Sequence, residues 1–418
     1  MHFFLPLTLI ATSVVLGQTL EDEPSKEDQN ALSRLPIGAT LTEVSIPRFD
    51  QKKRRASLLT AKIMEVKSAA NLRGKDLVIR LFDKDQKVSS TATLAEADYL
   101  VESEQLHAKG ELIMRSIEDK FLARSQGGIL SLNSRQGLLL GTCETMFLKP
   151  PKPQEISMNQ LHPILPLLSG IQILAAAPPP AVTTEELVEF ERLTAPIATP
   201  TFDGPELLAS ATAAEAGIGN RLTTFLQATG QTQILAQNAV APAQADTPFE
   251  DLFKPNKNRI VIKSDKGLYF DGENQELAYL GKVSLKGRSM TLSCTQGMKV
   301  LFTQPKKKVK KDAADGSLAN FNGIGELKQF TATGDIRVVG RDQKGQLIEA
   351  RGDRAVFDEK KQTIIIRGDG IGFRIGEIGL RTQDKNAYVV IRLLGGENLS
   401  IQGEGNWEGG IADKFKKK

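Results

Sequence analysis

The residues able to do acid–base or nucleophilic chemistry are few and badly spaced for it. The chain has three histidines, His2, His107 and His162, and two cysteines, Cys143 and Cys294. A hydrolytic triad needs an imidazole held between a nucleophile and an orienting group, and a structural zinc site needs four Cys or His ligands at short spacing. Neither set is present, so no catalytic residue and no metal ligand is assigned, no cofactor is expected, and the chain reads as a non-enzyme. Asp265, Asp271, Asp353 and Asp358 are the acids from which a glycosidase-type carboxylate pair would have to be drawn. They lie beside Lys266-Gly267, Gly272, Arg354 and Glu359, settings that read as solvated turns. The glycines between Gly368 and Gly376 lack the Lys and Ser/Thr of a phosphate loop and fit bends in a curved sheet. An oxidising compartment would permit a Cys143–Cys294 bridge, while the plainer reading is two half-buried small apolar residues.

What the chain repeats is apolar alternation. Ile260 and Ile262, Val283 and Leu285, Met290 and Leu292, Met298, Val300 and Phe302, Ile336 and Val338, Ile364 and Ile366, Ile371 and Phe373, and Leu399 and Ile401 recur at period two, which gives each strand one apolar face. Upstream, short runs such as Leu77–Phe82, Leu112–Met114 and Leu138–Leu140 are separated by polar turns, the pattern of an antiparallel all-β region. The segment Leu94–Leu106, rich in Ala, Glu and Leu, also admits a helix and is assigned to strands because it shares a repeat with later segments. The cationic run Lys306, Lys307, Lys308, Lys310 and Lys311 suits phosphate groups or an anionic membrane surface, or else is a solvated loop between strands.

The elements fall into a definite order. The apolar run Phe3–Leu16 predicts a secretory signal, residues 1–17, cleaved after Gly17, with an uncleaved anchor as the alternative. Residues 18–39 are polar and charged and read as a disordered lead-in. A β-rich domain follows over 40–149, then a Pro/Ala-rich connector over 150–257 containing Pro178-Pro179-Pro180. The connector is partly helical: Thr183–Glu186 fits a capping box ahead of Leu187, Phe190 and Leu193, and Leu207, Leu208, Ala211, Ile218, Leu222 and Phe225 recur at helical spacing. A second β-rich domain spans 258–405, and 406–418 is a basic tail. A net charge of +4 gives no case for nucleic acid.

A weak internal repeat links the two β regions. Ala92, Ala97, Tyr99 and Gly110-Glu111-Leu112 recur in order as Ala350, Ala355, Phe357 and Gly368-Asp369, and Phe270-Asp271 precedes Gly281 in the same way, with eleven residues from aromatic to glycine each time. Residues 265–402 carry Gly267-Leu268-Tyr269-Phe270-Asp271, Tyr279-Leu280-Gly281-Lys282-Val283, Met290-Thr291-Leu292-Ser293-Cys294, Phe330-Thr331-Ala332-Thr333-Gly334-Asp335-Ile336 and Ala350–Asp358. This run resembles the OstA-like family of periplasmic lipopolysaccharide-transport proteins, which includes the bridge component LptA. Residues 40–148 resemble a diverged copy, or the partner family LptC. The connector and the Lys306–Lys311 loop depart from a minimal bridge protein.

The resemblance implies two antiparallel β-jellyroll-like domains, V-shaped in section, whose apolar grooves shield acyl chains while the sugar headgroup stays in water. It places Val283, Leu285, Met290, Leu292, Val300, Phe302, Ile336, Val338 and Phe373 in the groove, where each buried CH₂ of a ligand gains about 0.8 kcal/mol. It implies a periplasmic location, lipopolysaccharide or another acylated lipid as ligand, and other β-jellyroll components as partners through edge-strand pairing. The competing reading is a secreted structural or adhesive β-protein in which the same side chains fill a closed sandwich and no lipid binds.

Overall fold

The computed structural model describes residues 35–50, 52–83, 85–116, 120–134, 136–148, 182–194, 218–229, 253–254, 259–272, 274–287, 290–303, 327–394 and 398–411. The fold is all-β and jellyroll-like, and its 22 described strands form one antiparallel sheet. Strands β1 (Thr40–Phe49), β2 (Arg55–Ser68), β3 (Asn71–Phe82), β4 (Val88–Leu100), β5 (Gln105–Ser116) and β6 (Phe121–Ser131) run as a meander, so Leu94–Leu106 belongs to strands β4 and β5, as expected, with a turn over 101–104 between them.

At β6 the sheet forks. Its first half pairs with β8 (Cys143–Leu148) and its second with β7 (Gln136–Leu140). One branch continues through β9 (Arg259–Ser264), β12 (Val283–Lys286) and β13 (Met290–Cys294). The other continues through β10 (Gly267–Asp271), β11 (Glu276–Leu280) and β14 (Gly297–Phe302). Both branches rejoin on the long strand β15 (Leu327–Arg341), which pairs along its length with β16 (Leu347–Asp358). A second fork leads from β16 through β18 (Gly372–Ile375) and β19 (Ile378–Arg381) to β22 (Glu408–Ile411), and through β17 (Thr363–Arg367) and β20 (Tyr388–Leu394) to β21 (Asn398–Glu404).

The forks follow from a bend written into the long strands. In β4 the buried residues step by two from Ala92 to Leu94, by three to Ala97, and by two again to Tyr99. In β16 the same steps run through Ala350, Gly352, Ala355 and Phe357. A residue added at the corner of an alternating strand turns its direction and restarts the alternation, so both halves present apolar side chains to one interior. The extra residues lie in one line across the sheet: register is interrupted between Leu94 and Glu96 and between Thr333 and Ile336, and Glu43, Asp76 and Asp335 have φ of 52°, 52° and 41°. Gly334 belongs to that line, with φ 79° and the Gln296 side chain 2.4 Å from where a Cβ would stand, so only glycine fits.

The ladders β8–β9 and β7–β10 join the two strand-rich regions directly, and one apolar cluster runs from Leu59 to Leu399. The two regions expected on either side of 150–257 thus meet in one sheet and one core. Two boundaries also move. Leu35 and Ala39, expected in the lead-in, pack on the core. β22, expected in the basic tail, pairs with β19 because Gly409 lets its backbone close on Leu380, whose Cδ2 is 2.7 Å from where a Cβ would stand.

Connector segments cover the outside of the sheet. Helix α1 (Thr184–Thr194) opens on the expected capping box, in which the Glu186 N–H donates to Thr183 Oγ1 (3.2 Å) and the Thr183 N–H donates to Glu186 Oε2 (2.7 Å). Phe190 is buried beside the Arg354 and Arg367 guanidinia, both of which Glu191 pairs at 2.6 Å. Helix α2 (Ile218–Ala228) packs Leu222, Phe225 and Leu226 on Ile129, Leu138, Tyr269 and Ala278. The expected helical residues Leu207, Leu208 and Ala211 lie outside the described residues. Asp271 caps its own turn by accepting the Asn274 N–H at 3.1 Å, but it is buried rather than solvated and forms an ion pair with Arg221 of α2 at 2.6 Å. Asp265, Asp353 and Asp358 do cap turns, accepting the N–H groups of Lys282, Asp369 and Lys360 at 2.7, 2.7 and 2.9 Å.

Candidate functional site

The interior is built from two facing rows of side chains, each in strict register. One runs Ile46, Leu59, Ile79, Ala92, Met114, Ala123, Thr145, Ile262, Leu285, Leu292, Val338, Ala350, Phe373, Leu380, from β1 to β19. The other half carries Val66, Leu72, Tyr99, Leu106, Leu130, Gly137, Phe270, Leu277, Val300, Phe330, Phe357, Ile364, Ile391, Ile401, from β2 to β21. At about 4.8 Å per strand the apolar surface is roughly 65 Å long. Among the residues expected to line a groove, Leu285, Leu292, Val338 and Phe373 belong to the first row and Val300 to the second. Val283, Met290 and Ile336 lie on the same strands as the first row, and Phe302 ends the strand of Val300. The sequence reading missed the N-terminal part of both rows, although the alternation of Leu77, Ile79 and Leu81 marks it.

The middle of the interior is sealed. Val283, Leu285, Leu292, Val300, Phe302, Ile336 and Val338 are all buried, and Leu292, Ile336 and Val338 are 0% exposed. The halves touch across it: Phe147 of β8 and Phe302 of β14 have ring centroids 5.3 Å apart, and the hydroxyls of Thr145 and Tyr279 are 2.5 Å apart. Burial pushes the Tyr279 hydroxyl well above the ordinary phenol range, so it stays neutral.

The two ends differ from the middle. Leu41, Val44 and Ile46 at one end, and Phe373, Leu393, Ile401 and Trp407 at the other, pack on the core but keep part of their surface in solvent. Met290 is also half-buried. Phe373 meets Trp407 edge-on at 5.0 Å, and both rings lie where a Cβ on Gly403 of the opposite half would stand. Among the described residues β1, β21 and β22 each have a strand neighbour on one side only. Near the first end, Arg48 of β1 crosses between the halves, pairing with Glu104 at 2.8 Å and donating to Leu132 O and Asn133 Oδ1. Burial, with the Glu104 carboxylate as a second cause, raises the Tyr99 hydroxyl to about 12.

The remaining expected groups are scattered. Lys306, Lys307, Lys308, Lys310 and Lys311 lie outside the described residues. Cys143 and Cys294 are buried and free, with Ser264 and Val283 between them on successive strands. Three strand spacings, about 14 Å, exceed the reach of a disulfide, which is about 7 Å between Cα atoms. His107 stands on β5, its imidazole held below its ordinary value by burial.

No protein-family model matches the chain, and no curated protein matches it. Among solved structures it is similar to LptH of Pseudomonas aeruginosa, described as the LptA homologous periplasmic component of the conserved lipopolysaccharide transport device. The identity is 12%, the match covers 36% of this chain and 94% of that one, and the TM-score is 0.25.

Proposed function

We propose that this protein holds the acyl chains of an amphipathic lipid, of the lipopolysaccharide type, between the halves of its bent sheet and moves them across the periplasm. The observation that carries the reading is a largely apolar interior about 65 Å long with half-buried apolar side chains at both ends. A sheet of this length exceeds what a small closed sandwich needs, and a non-directional apolar surface suits acyl chains of varied length. No catalytic group takes part. The chain is exported through residues 1–17, and its edge strands β1, β21 and β22 offer backbone donors and acceptors to like-folded partners, which would extend the interior from one molecule to the next.

The near-zero exposure of Leu292, Ile336 and Val338 favours a second reading, a structural β-protein with a filled core. Under the transport reading the halves part to admit a chain, breaking the contacts of Phe147 with Phe302 and of Arg48 with Glu104. Mass spectrometry of organic extracts from natively purified protein separates the two. Stoichiometric acylated lipid is the expected result, and its absence from protein purified without detergent supports the filled core.

A further inference from the structure

The outer face of the same sheet carries a second arrangement that the transport reading does not use. One register line crosses six strands as Glu144, Lys263, Ser284, Ser293, Arg337 and Arg351. These residues alternate with the interior row, so they point outward. Two small serines sit between long cationic side chains, and a cleft of about 600 Å³ lies over them, lined also by Asp265, Lys282 and Asp335 of the bend.

The charges on this line are unequal. Glu144 faces two cations, Arg124 at 2.5 Å and Lys263, which leaves one positive charge in excess. Glu349 faces three, Arg337 at 2.9 Å, Arg351 at 2.7 Å and Arg374 at 2.9 Å, which leaves two. Both carboxyls are pushed up by burial, but hydrogen bonds from Arg351 and Arg337 to Glu349, and from Lys263 and Arg124 to Glu144, outweigh it and hold both below the usual range. They are therefore charged at neutral pH and anchor the cations in place. The Lys263, Arg337 and Arg351 side chains stay 49%, 51% and 58% exposed, within reach of a ligand.

We infer that this cleft binds a phosphate monoester, with Lys263, Arg337 and Arg351 meeting the anionic oxygens and the Ser284 and Ser293 hydroxyls bonding the phosphate or an attached sugar. Fixed guanidinia recognise such oxygens bidentately, and their anchoring carboxylates spare the ligand the work of ordering them. The volume admits a group of hexose phosphate size.

The test titrates the full-length protein with inorganic phosphate, with glucose 6-phosphate and with vesicles containing phosphatidic acid, in constant chloride, using calorimetry for the soluble ions and flotation for the vesicles. Ser293→Asp places a carboxylate at the centre of the cleft. Arg351→Gln leaves Glu349 its two other arginines, so the fold survives. Each should weaken binding at least tenfold, while Arg80→Gln, on the exposed surface of β3, should leave it unchanged. Loss of soluble phosphate binding in both variants supports a free phosphate ligand. Vesicle-only binding, lost in both, supports a lipid headgroup. Absence of all three interactions, or binding that survives both substitutions, overturns the site.

Discussion

Replacing Leu292 and Phe373 by Asp, one at a time, separates the sealed middle of the interior from its mouth. Leu292 is fully buried between Leu285 and Val338, and truncating a leucine in such a place costs about 3 kcal/mol. A carboxyl left there stays protonated, and holding it neutral at pH 7 against a solution value near 4 costs roughly 4 kcal/mol more. The sum, about 7 kcal/mol, is comparable with the whole stability of many domains. Leu292→Asp should therefore unfold the sheet or lower its urea midpoint sharply. Phe373 is half-buried and loses chiefly its edge contact with Trp407 and part of its packing, about 2 kcal/mol. Phe373→Asp should stay folded. Circular dichroism in urea, with binding of a fluorescent fatty-acid probe, reads both effects. The expected outcome for Phe373→Asp is native ellipticity with probe binding reduced at least tenfold. Wild-type binding in a folded Phe373→Asp protein would refute the mouth assignment, and a wild-type urea midpoint for Leu292→Asp would refute the sealed core.

Limited proteolysis within 150–257 should yield two fragments that co-elute in native size exclusion and part only in denaturant, because β7–β10 and β8–β9 cross between them. Thiol titration should find Cys143 and Cys294 slow to react in the native protein and both reactive in guanidinium, since burial raises Cys143 far above the usual thiol range and Cys294 to about 11. Acid should destabilise the fold: Asp98, Glu144 and Glu349 are each pushed up by burial and pulled further down by their cationic partners, so the folded protein holds them below their unfolded values. Their contribution is complete above about pH 4.5 and is lost as the pH falls through the folded values, which thermal unfolding between pH 7 and pH 3 should record.

Much of this fold is legible in the sequence because its signals are local. Period-two alternation locates the strands from Ile260 to Ile401, and the matched positions Ala92, Ala97, Tyr99 and Ala350, Ala355, Phe357 prove to be the same structural device, the three-residue step at the bend. The capping box at Thr183 marks α1. The forks are not local: that β7 meets β10 and β8 meets β9 depends on which half of β6 each strand finds, and no spacing records it. For the same reason Asp271 reads as a turn acid until Arg221, fifty residues upstream in a helix, is brought against it. β22 carries no alternation, and its Gly409 stands where Leu380 leaves no room for a side chain. Alternation marks the apolar face of the strands that carry the candidate lining residues and the family resemblance places those residues in a groove, but alternation cannot distinguish a sealed row from an open one, which is a property of the opposite half.

Photocrosslinking at two adjacent residues separates a lipid-holding interior from a filled core. Phe373 and Arg374 are neighbours on β18, the first in the interior row and the second on the outer face against Glu349. A benzophenone amino acid introduced at each position, with illumination in cells and mass spectrometry of the purified protein, reports what each face touches. An acylated-lipid adduct is expected at position 373 and none at 374. Adducts at neither position, or equally at both, would mean that the interior holds no acyl chain.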